Sequence, residues 1–142
     1  MSNEQEQRPT KQVIVMRKDL RMRRGKEIAQ ACHASMSFLT RNTDTKEARE
    51  IGDLWTRLII NDVDYWVLDW LEGSFRKICC SVDSEAELIA IYDKAVEAKL
   101  EVYMVEDNGM TEFGGVKTKT CLAIGPDYDE CIDPITKDLK LY

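Results

Sequence analysis

A single α/β domain, built on a mixed four-stranded β-sheet with helices on both faces, is the fold this sequence predicts. Three observations predict it. Four short apolar runs, centred on VIVM, KICCSV, EVYMVE and TCLAIG, have the length and β-branching of buried strands. Segments with helical spacing separate the first three runs, which favours parallel pairs with helices covering the sheet. The last two runs are joined by only a glycine-rich loop, NGMTEFGGVKT, which favours one antiparallel pair.

The elements follow in order. Val13 to Met16 form the first strand, and the basic loop KDLRMRRG leads to a helix starting near Gly25. Ile28, Cys32, Ser35 and Leu39 fall on one face of it, with Ala31 and Phe38 beside them, and this face is expected to pack on the sheet. A second helix is expected in NTDTKEAREIGDLWTRLII, with Asp44 and Glu47 as a capping pair and a stripe of Ile51, Leu54, Trp55 and Leu58. After a break near Asn61–Asp62, Val63, Trp66, Val67, Trp70 and Leu71 repeat with a third helical period that Gly73 ends. That aromatic stripe suits core packing or a subunit contact. KICCSV is the second strand. Ser84 and Glu87 form a capping box for a helix carrying Leu88, Ile91, Tyr92 and Ala95. The third strand is EVYMVE, and the fourth, TCLAIG, is expected to stop at Gly125–Pro126. The tail ECIDPITKDLKLY holds a short helix and a turn.

Composition narrows the class. The 142 residues, 44% of them hydrophobic, suffice for one domain with its own core, residues 11–142, behind a polar and disordered tail, residues 1–10. No apolar run approaches the length of a membrane span, and the first residues lack the apolar centre of a signal peptide. A cytoplasmic protein with no membrane partner is expected. The five cysteines are odd in number and contain no CxxC pair, so neither a disulfide framework nor a zinc site is read from them; buried, reduced thiols are expected. A net charge of −6 argues against a protein that coats nucleic acid broadly. The charge is uneven, however. Residues 8 to 26 carry Arg8, Lys11, Arg17, Lys18, Arg21, Arg23, Arg24 and Lys26 against Asp19 alone. That pattern fits a partner touching one face, and fits equally a solvated basic turn.

Two segments could carry chemistry. Lys26, Gln30, His33 and Ser37 share one face of the first helix, nearly opposite its apolar stripe, with the lysine at the helix start where free N–H groups attract anions. Taken alone, this also fits a solvated polar face. EDNGMTE, Glu106 to Glu112, follows a buried strand, where α/β proteins place functional groups; an Asn108–Gly109 turn would hold Asp107 and Thr111. P-loop, dinucleotide-binding and Ser-His-Asp patterns are absent.

Read together, KQVIVMRKDLRMRRGKEIAQACHAS, VEDNGMTEF and CLAIGPDYDECIDPITKDLKLY resemble the peptidyl-tRNA hydrolases of the archaeal and eukaryotic type, the type 2 family, over residues 11–142. The resemblance implies a cofactor-free enzyme, usually a homodimer, that cleaves the ester between a peptide and the 3′ end of tRNA and so recycles tRNA from stalled translation. DNA is not an implied partner. Lys26 matches the family's essential lysine, Asp107 its essential aspartate, and Thr111 the threonine beside it; Gln30 and His33 match polar positions on the first helix. On this reading Asp107 orients or deprotonates a water, Lys26 offsets developing charge, Thr111 positions the water or the carboxylate, and His33 orients or binds the ester end. His33 lies two turns from Lys26, about 10 Å along the axis, and is not the expected base. Lys18, Arg21, Arg23 and Arg24 would hold tRNA phosphates, and Gln30 and Thr118 complete the expected substrate contacts. Three departures from the family pattern stand out: Phe75 where the family has Gln, Asn108 where it has Ala, and the loop 112–118, one residue longer. A tRNA-end binding or dimeric interaction protein on the same fold, weakened in turnover, is the alternative.

Overall fold

A computed structural model describes residues 8–44, 59–60 and 63–142. Strand β1 (Thr10–Arg17) leads into helix α1 (Arg24–Thr40). A small ladder of β2 (Thr43–Asp44) and β3 (Ile59–Ile60) follows, then α2 (Tyr65–Glu72), β4 (Lys77–Val82), α3 (Glu85–Glu97), β5 (Val102–Asp107), β6 (Thr118–Tyr128), α4 (Asp129–Thr136) and β7 (Lys140–Leu141). The main sheet has the order β5-β6-β1-β4-β7. It is mixed, with helices on both faces, as expected, but it holds five strands and not four. The fifth, β7, is two residues long and pairs antiparallel with β4 through Cys80–Leu141 and Ser81–Lys140. The tail was expected to end in a turn because so short a strand leaves no period-2 pattern to read.

Only β1 and β4 pair in parallel; β6 lies antiparallel between β1 and β5. Strands β1, β4 and β5 therefore run the same way, and their last residues, Arg17, Val82 and Asp107, share one edge of the sheet. Pleating sends alternate residues to opposite faces. On one face Val13, Val15, Leu122 and Ile124 pack with Leu88, Ile91 and Ala95 of α3 and Ile132 of α4. On the other, Ile14, Met16, Val105, Cys121 and Ala123 pack against Ala34 of α1. Trp70 of α2 is fully buried, edge-on to Phe38 of α1 at 5.6 Å, an aromatic pair worth about 0.5–1.5 kcal/mol beyond its buried area. The third helical period thus forms α2, ending at Gly73 as expected.

Other expectations change. Strand β6 does not stop at Gly125–Pro126 but runs through it to Tyr128, and the ladder to β1 shifts register between Lys11 and Val13. Gly125 sits at φ +88°, and a Cβ there would lie 2.8 Å from the Asp127 nitrogen, so the passage needs glycine. Ile59 and Ile60, expected in the second helix, pair as a strand with Thr43 and Asp44; the remainder of that expected helix, 45–58, lies outside the described residues, as do residues 1–7 of the expected tail.

The largest correction concerns α1. Its buried residues are Gln30, Ala34, Ser37 and Phe38, whereas Ile28 and Met36 are 58% and 53% exposed and Cys32 is exposed too. The face against the sheet takes residues from both readings: Phe38 of the expected apolar face is buried and Ala31 and Leu39 are half-buried, while of the expected polar face Gln30 and Ser37 are buried and His33 is exposed. Hydrogen bonds explain the choice. Gln30 is bonded by Thr120 of β6, Ser37 donates to the His33 carbonyl, and Ser35 donates to the buried Gln12 of β1. Polar groups with partners are buried without penalty.

Candidate active site

Lys26 opens the first turn of α1, and Asp107 is the last residue of β5. The sheet order and the packing of α1 over β6 bring them together. The Lys26 Nζ donates to Asp107 Oδ1 at 2.8 Å and to Thr111 Oγ1 at 2.9 Å. Their side chains are 15% and 11% exposed, so the ion pair is shielded but open to one side. Gln30, one turn on from Lys26, donates from Nε2 to the same Asp107 Oδ1 at 3.3 Å. Asp107 Oδ2 accepts from the Gly109 backbone N–H at 2.9 Å. These donors favour the ionised carboxylate, and Lys26 above all holds the Asp107 carboxyl below the ordinary aspartate value of 3.8.

The loop between β5 and β6 is shaped for this. Asn108 Oδ1 accepts from the Met110 N–H at 3.0 Å, an Asx turn that alanine could not make. Gly109 adopts φ +79°, and a Cβ there would fall 2.1 Å from the Val116 carbonyl oxygen. Gly114 and Gly115 are also left-handed, and the Gly115 N–H closes back on the Gly109 carbonyl at 2.9 Å. The loop is therefore folded back onto itself between Gly109 and Val116.

Each expected site residue can now be located. Lys26, Asp107, Thr111 and Gln30 form one cluster. His33 is exposed and makes no side-chain hydrogen bond to that cluster. Thr118 does not join it either: its hydroxyl donates to the Val116 carbonyl at 2.9 Å, inside its own loop. Of the basic residues, Lys18 lies 3.4 Å from Asp83, and Arg23 Nε donates to Glu112 Oε1 at 2.9 Å. Among the described residues, Arg21 and Arg24 form no ion pair, and both are exposed.

Two participants escaped the sequence reading. Thr120, fully buried, donates its hydroxyl to Gln30 Oε1 at 2.7 Å, which turns the amide so that its NH₂ faces Asp107. Strict alternation would send Thr120 to the face of Leu122 and Ile124; the register shift between β5 and β6 beside it turns it toward Gln30, and nothing local in the sequence announces that bulge. Glu112 pairs with Arg23 across the gap between loop and helix; only proximity reveals it. The Phe75 departure lies at the opposite edge of the sheet, ahead of β4, with its ring 4.5 Å from Trp70. Cys80 and Cys121 are buried as expected, and burial pushes the Cys121 thiol up to about 12; Cys32 is exposed.

The family model described as "Peptidyl-tRNA hydrolase PTH2" matches residues 10–142. A protein named "Peptidyl-tRNA hydrolase" from Methanothermobacter thermautotrophicus is 43% identical over 132 residues, covering 92% of this chain and 98% of its own. One of the same name from Sulfurisphaera tokodaii is 38% identical, covering 93% and 98%. A "Probable peptidyl-tRNA hydrolase 2" from Dictyostelium discoideum is 35% identical over 93% of this chain and 54% of its own length.

Proposed function

Because this chain belongs to the peptidyl-tRNA hydrolase PTH2 family, we propose that Lys26, Asp107 and Thr111, with Gln30 behind them, are the centre at which it works. The chain is an ester hydrolase acting on peptidyl-tRNA. The observation that carries the assignment of residues is the double contact of Lys26 Nζ with Asp107 and Thr111, which are 81 and 85 residues away in sequence. The alternative of a tRNA-end binding or interaction protein is not favoured, since relatives over nearly the whole chain bear the hydrolase name.

Counting donors and acceptors gives each group a task. An ammonium has three N–H donors, and Lys26 commits two. The third is available to the ester carbonyl oxygen, where negative charge grows as water adds. Asp107 Oδ1 already accepts from Lys26 and Gln30, whereas Oδ2 accepts only from Gly109. The spare lone pair on Oδ2 takes a hydrogen bond from the attacking water. Thr111 accepts from Lys26 and keeps its own hydrogen to donate to substrate or water. With its carboxyl below the ordinary range, Asp107 stays ionised and is a weak base, so its part is to orient the water and balance charge. Water oxygen joins the carbonyl carbon, the bond to the ribose oxygen breaks, and that oxygen leaves with one of the water's two protons while the other passes to solvent. The products are a peptide carboxylate and free tRNA.

Arg21 and Arg24, unpaired among the described residues, meet the tRNA phosphates first; Lys18 and Arg23 must exchange a carboxylate for a phosphate. The exposed stripe Ile28, Cys32 and Met36 on the outer face of α1 supports a homodimer. No described helix is long and apolar enough to cross a membrane, and a cytoplasmic location fits a translation enzyme.

The experiment is hydrolysis of an N-blocked aminoacyl-tRNA by wild type and by Lys26→Ala. Removing an oxyanion-stabilising donor should cost about 10²- to 10³-fold in kcat at near-normal stability. A Lys26→Ala variant within a few-fold of wild type removes Lys26 from the centre.

A further inference from the structure

The N-cap of α1 is Arg23, whose side chain makes no capping bond. Helices often cap themselves with a glutamate three residues into the helix, which reaches back to the N-cap N–H. In α1 that position is Lys26, already committed to Asp107 and Thr111. The missing carboxylate arrives from the glycine loop instead. Glu112 Oε2 accepts from the Arg23 backbone N–H at 3.4 Å, and Oε1 accepts from Arg23 Nε at 2.9 Å. The Glu112 side chain is sunk into the surface, 13% exposed, while the Arg23 side chain is 81% exposed. Neighbouring loop residues, Thr111 and Glu112, thus bind the two ends of the first turn of α1.

We propose that Glu112 is a positioning residue that sets order in the site against affinity for tRNA. It caps α1 from the loop and so holds Thr111 and Asp107 against Lys26. While doing so it neutralises an arginine that points to solvent and would otherwise be open to a phosphate. The inference rests on the hydrolase reading and adds a prediction of opposite sign to it: loss of the Glu112 charge lowers kcat and tightens tRNA binding. A residue that merely supports the fold would lower kcat while leaving affinity unchanged or weaker.

The test is Glu112→Gln, compared with wild type, Arg23→Gln and a remote control, Lys99→Gln. Kinetics use an N-blocked aminoacyl-tRNA; binding uses uncharged tRNA across a salt series; amide exchange is followed over residues 109–116. For Glu112→Gln, kcat should fall about three- to tenfold, as for loss of a charge-assisted hydrogen bond. Its tRNA Kd should tighten about two- to fivefold, and the slope of log K against log salt should steepen by ~0.7 to 0.9, one added phosphate contact. Loop amides should exchange faster. Arg23→Gln should share the kcat loss and the faster exchange but show no gain in affinity and no steeper slope, and Lys99→Gln should match wild type. A Glu112→Gln protein that binds tRNA no more tightly, or whose loop exchanges like wild type, overturns the proposal. If wild type fails to cleave the substrate, the hydrolase reading falls, while the exchange and salt-slope results still decide the role of Glu112.

Discussion

The two faces of α1 do not sort by hydropathy alone: Ala34 and Phe38 go inside beside polar residues, while other apolar residues stay out. The inner face carries Gln30 and Ser37, buried against the sheet, with Lys26 at its upper end. The outer face carries Ile28, Cys32 and Met36 in the open. The difference teaches what a functional helix can bury. A polar residue goes inside when partners meet it, as Thr120 and Asp107 meet Gln30. An apolar residue stays outside where, among the described residues, none covers it. The inner face is thus fixed by chemistry, and the outer stripe stays open among the described residues.

Asp107→Asn breaks the inner face at its most charged point and should have the largest effect. The amide keeps the shape but not the charge, and kcat should fall about 10²- to 10⁴-fold with tRNA affinity little changed. The pH profile adds a sign. Lys26 depresses the Asp107 carboxyl, so the folded value lies below the unfolded one. The resulting stability is present above the ordinary aspartate value of 3.8 and fades as pH falls through the depressed value. The acid limb of kcat/KM should accordingly lie below pH 3.8, limited by unfolding or Asp107 protonation. An acid limb near pH 6 would mean that another group governs the reaction.

Thr120→Val tests the same face one layer deeper. Valine nearly matches threonine in shape but strands the buried Gln30 Oε1 without its donor, at a cost of about 1–3 kcal/mol in unfolding free energy. Freed to turn over, the Gln30 amide can no longer keep its NH₂ on Asp107, and kcat should fall by roughly tenfold or less. Thr120→Ser keeps the hydroxyl and should restore most of kcat. Equal kcat in the valine and serine variants would show that Thr120 does not act through Gln30.

These residues also mark how far the sequence could be read. Lys26, Asp107, Thr111 and Gln30 were picked out because short windows match the family's motifs, and the structure brings the four together; the helix start and the Asx-glycine turn taken alone fitted a solvated face and an ordinary turn as well. The β-α order and α3 with its Ser84 cap were legible because a short window contains the cause. What failed was long-range. The orientation of α1 depends on Gln12, Thr120 and Asp107, each far away in sequence. The β7 strand exists only because β4 offers it an edge. Thr118 stands opposite Asp107 in the ladder, but its hydroxyl donates to the Val116 carbonyl and so turns back into the loop.

The smallest effect on the monomer should come from the outer face, and it sharpens the contrast most. Ile28 and Met36 lie two turns apart on one stripe, 58% and 53% exposed, with Cys32 between them. Eight residues of helix separate them, about 12 Å at 1.5 Å per residue, which is enough length for a helix contact but small beside a whole dimer interface. Surface changes that touch no partner stay within about 0.5 kcal/mol. Ile28→Glu combined with Met36→Glu should therefore leave the denaturation midpoint and the kcat of the monomer nearly as they were. If the stripe meets a second copy, the same pair of charges should shift sedimentation equilibrium from dimer to monomer, since two carboxylates would be buried against their own images across a twofold axis. A double variant that sediments as a dimer like wild type removes this stripe from the subunit contact. A double variant that loses several kcal/mol as a monomer would show instead that the outer face is covered by its own chain, and the contrast between the two faces of α1 would fall with it.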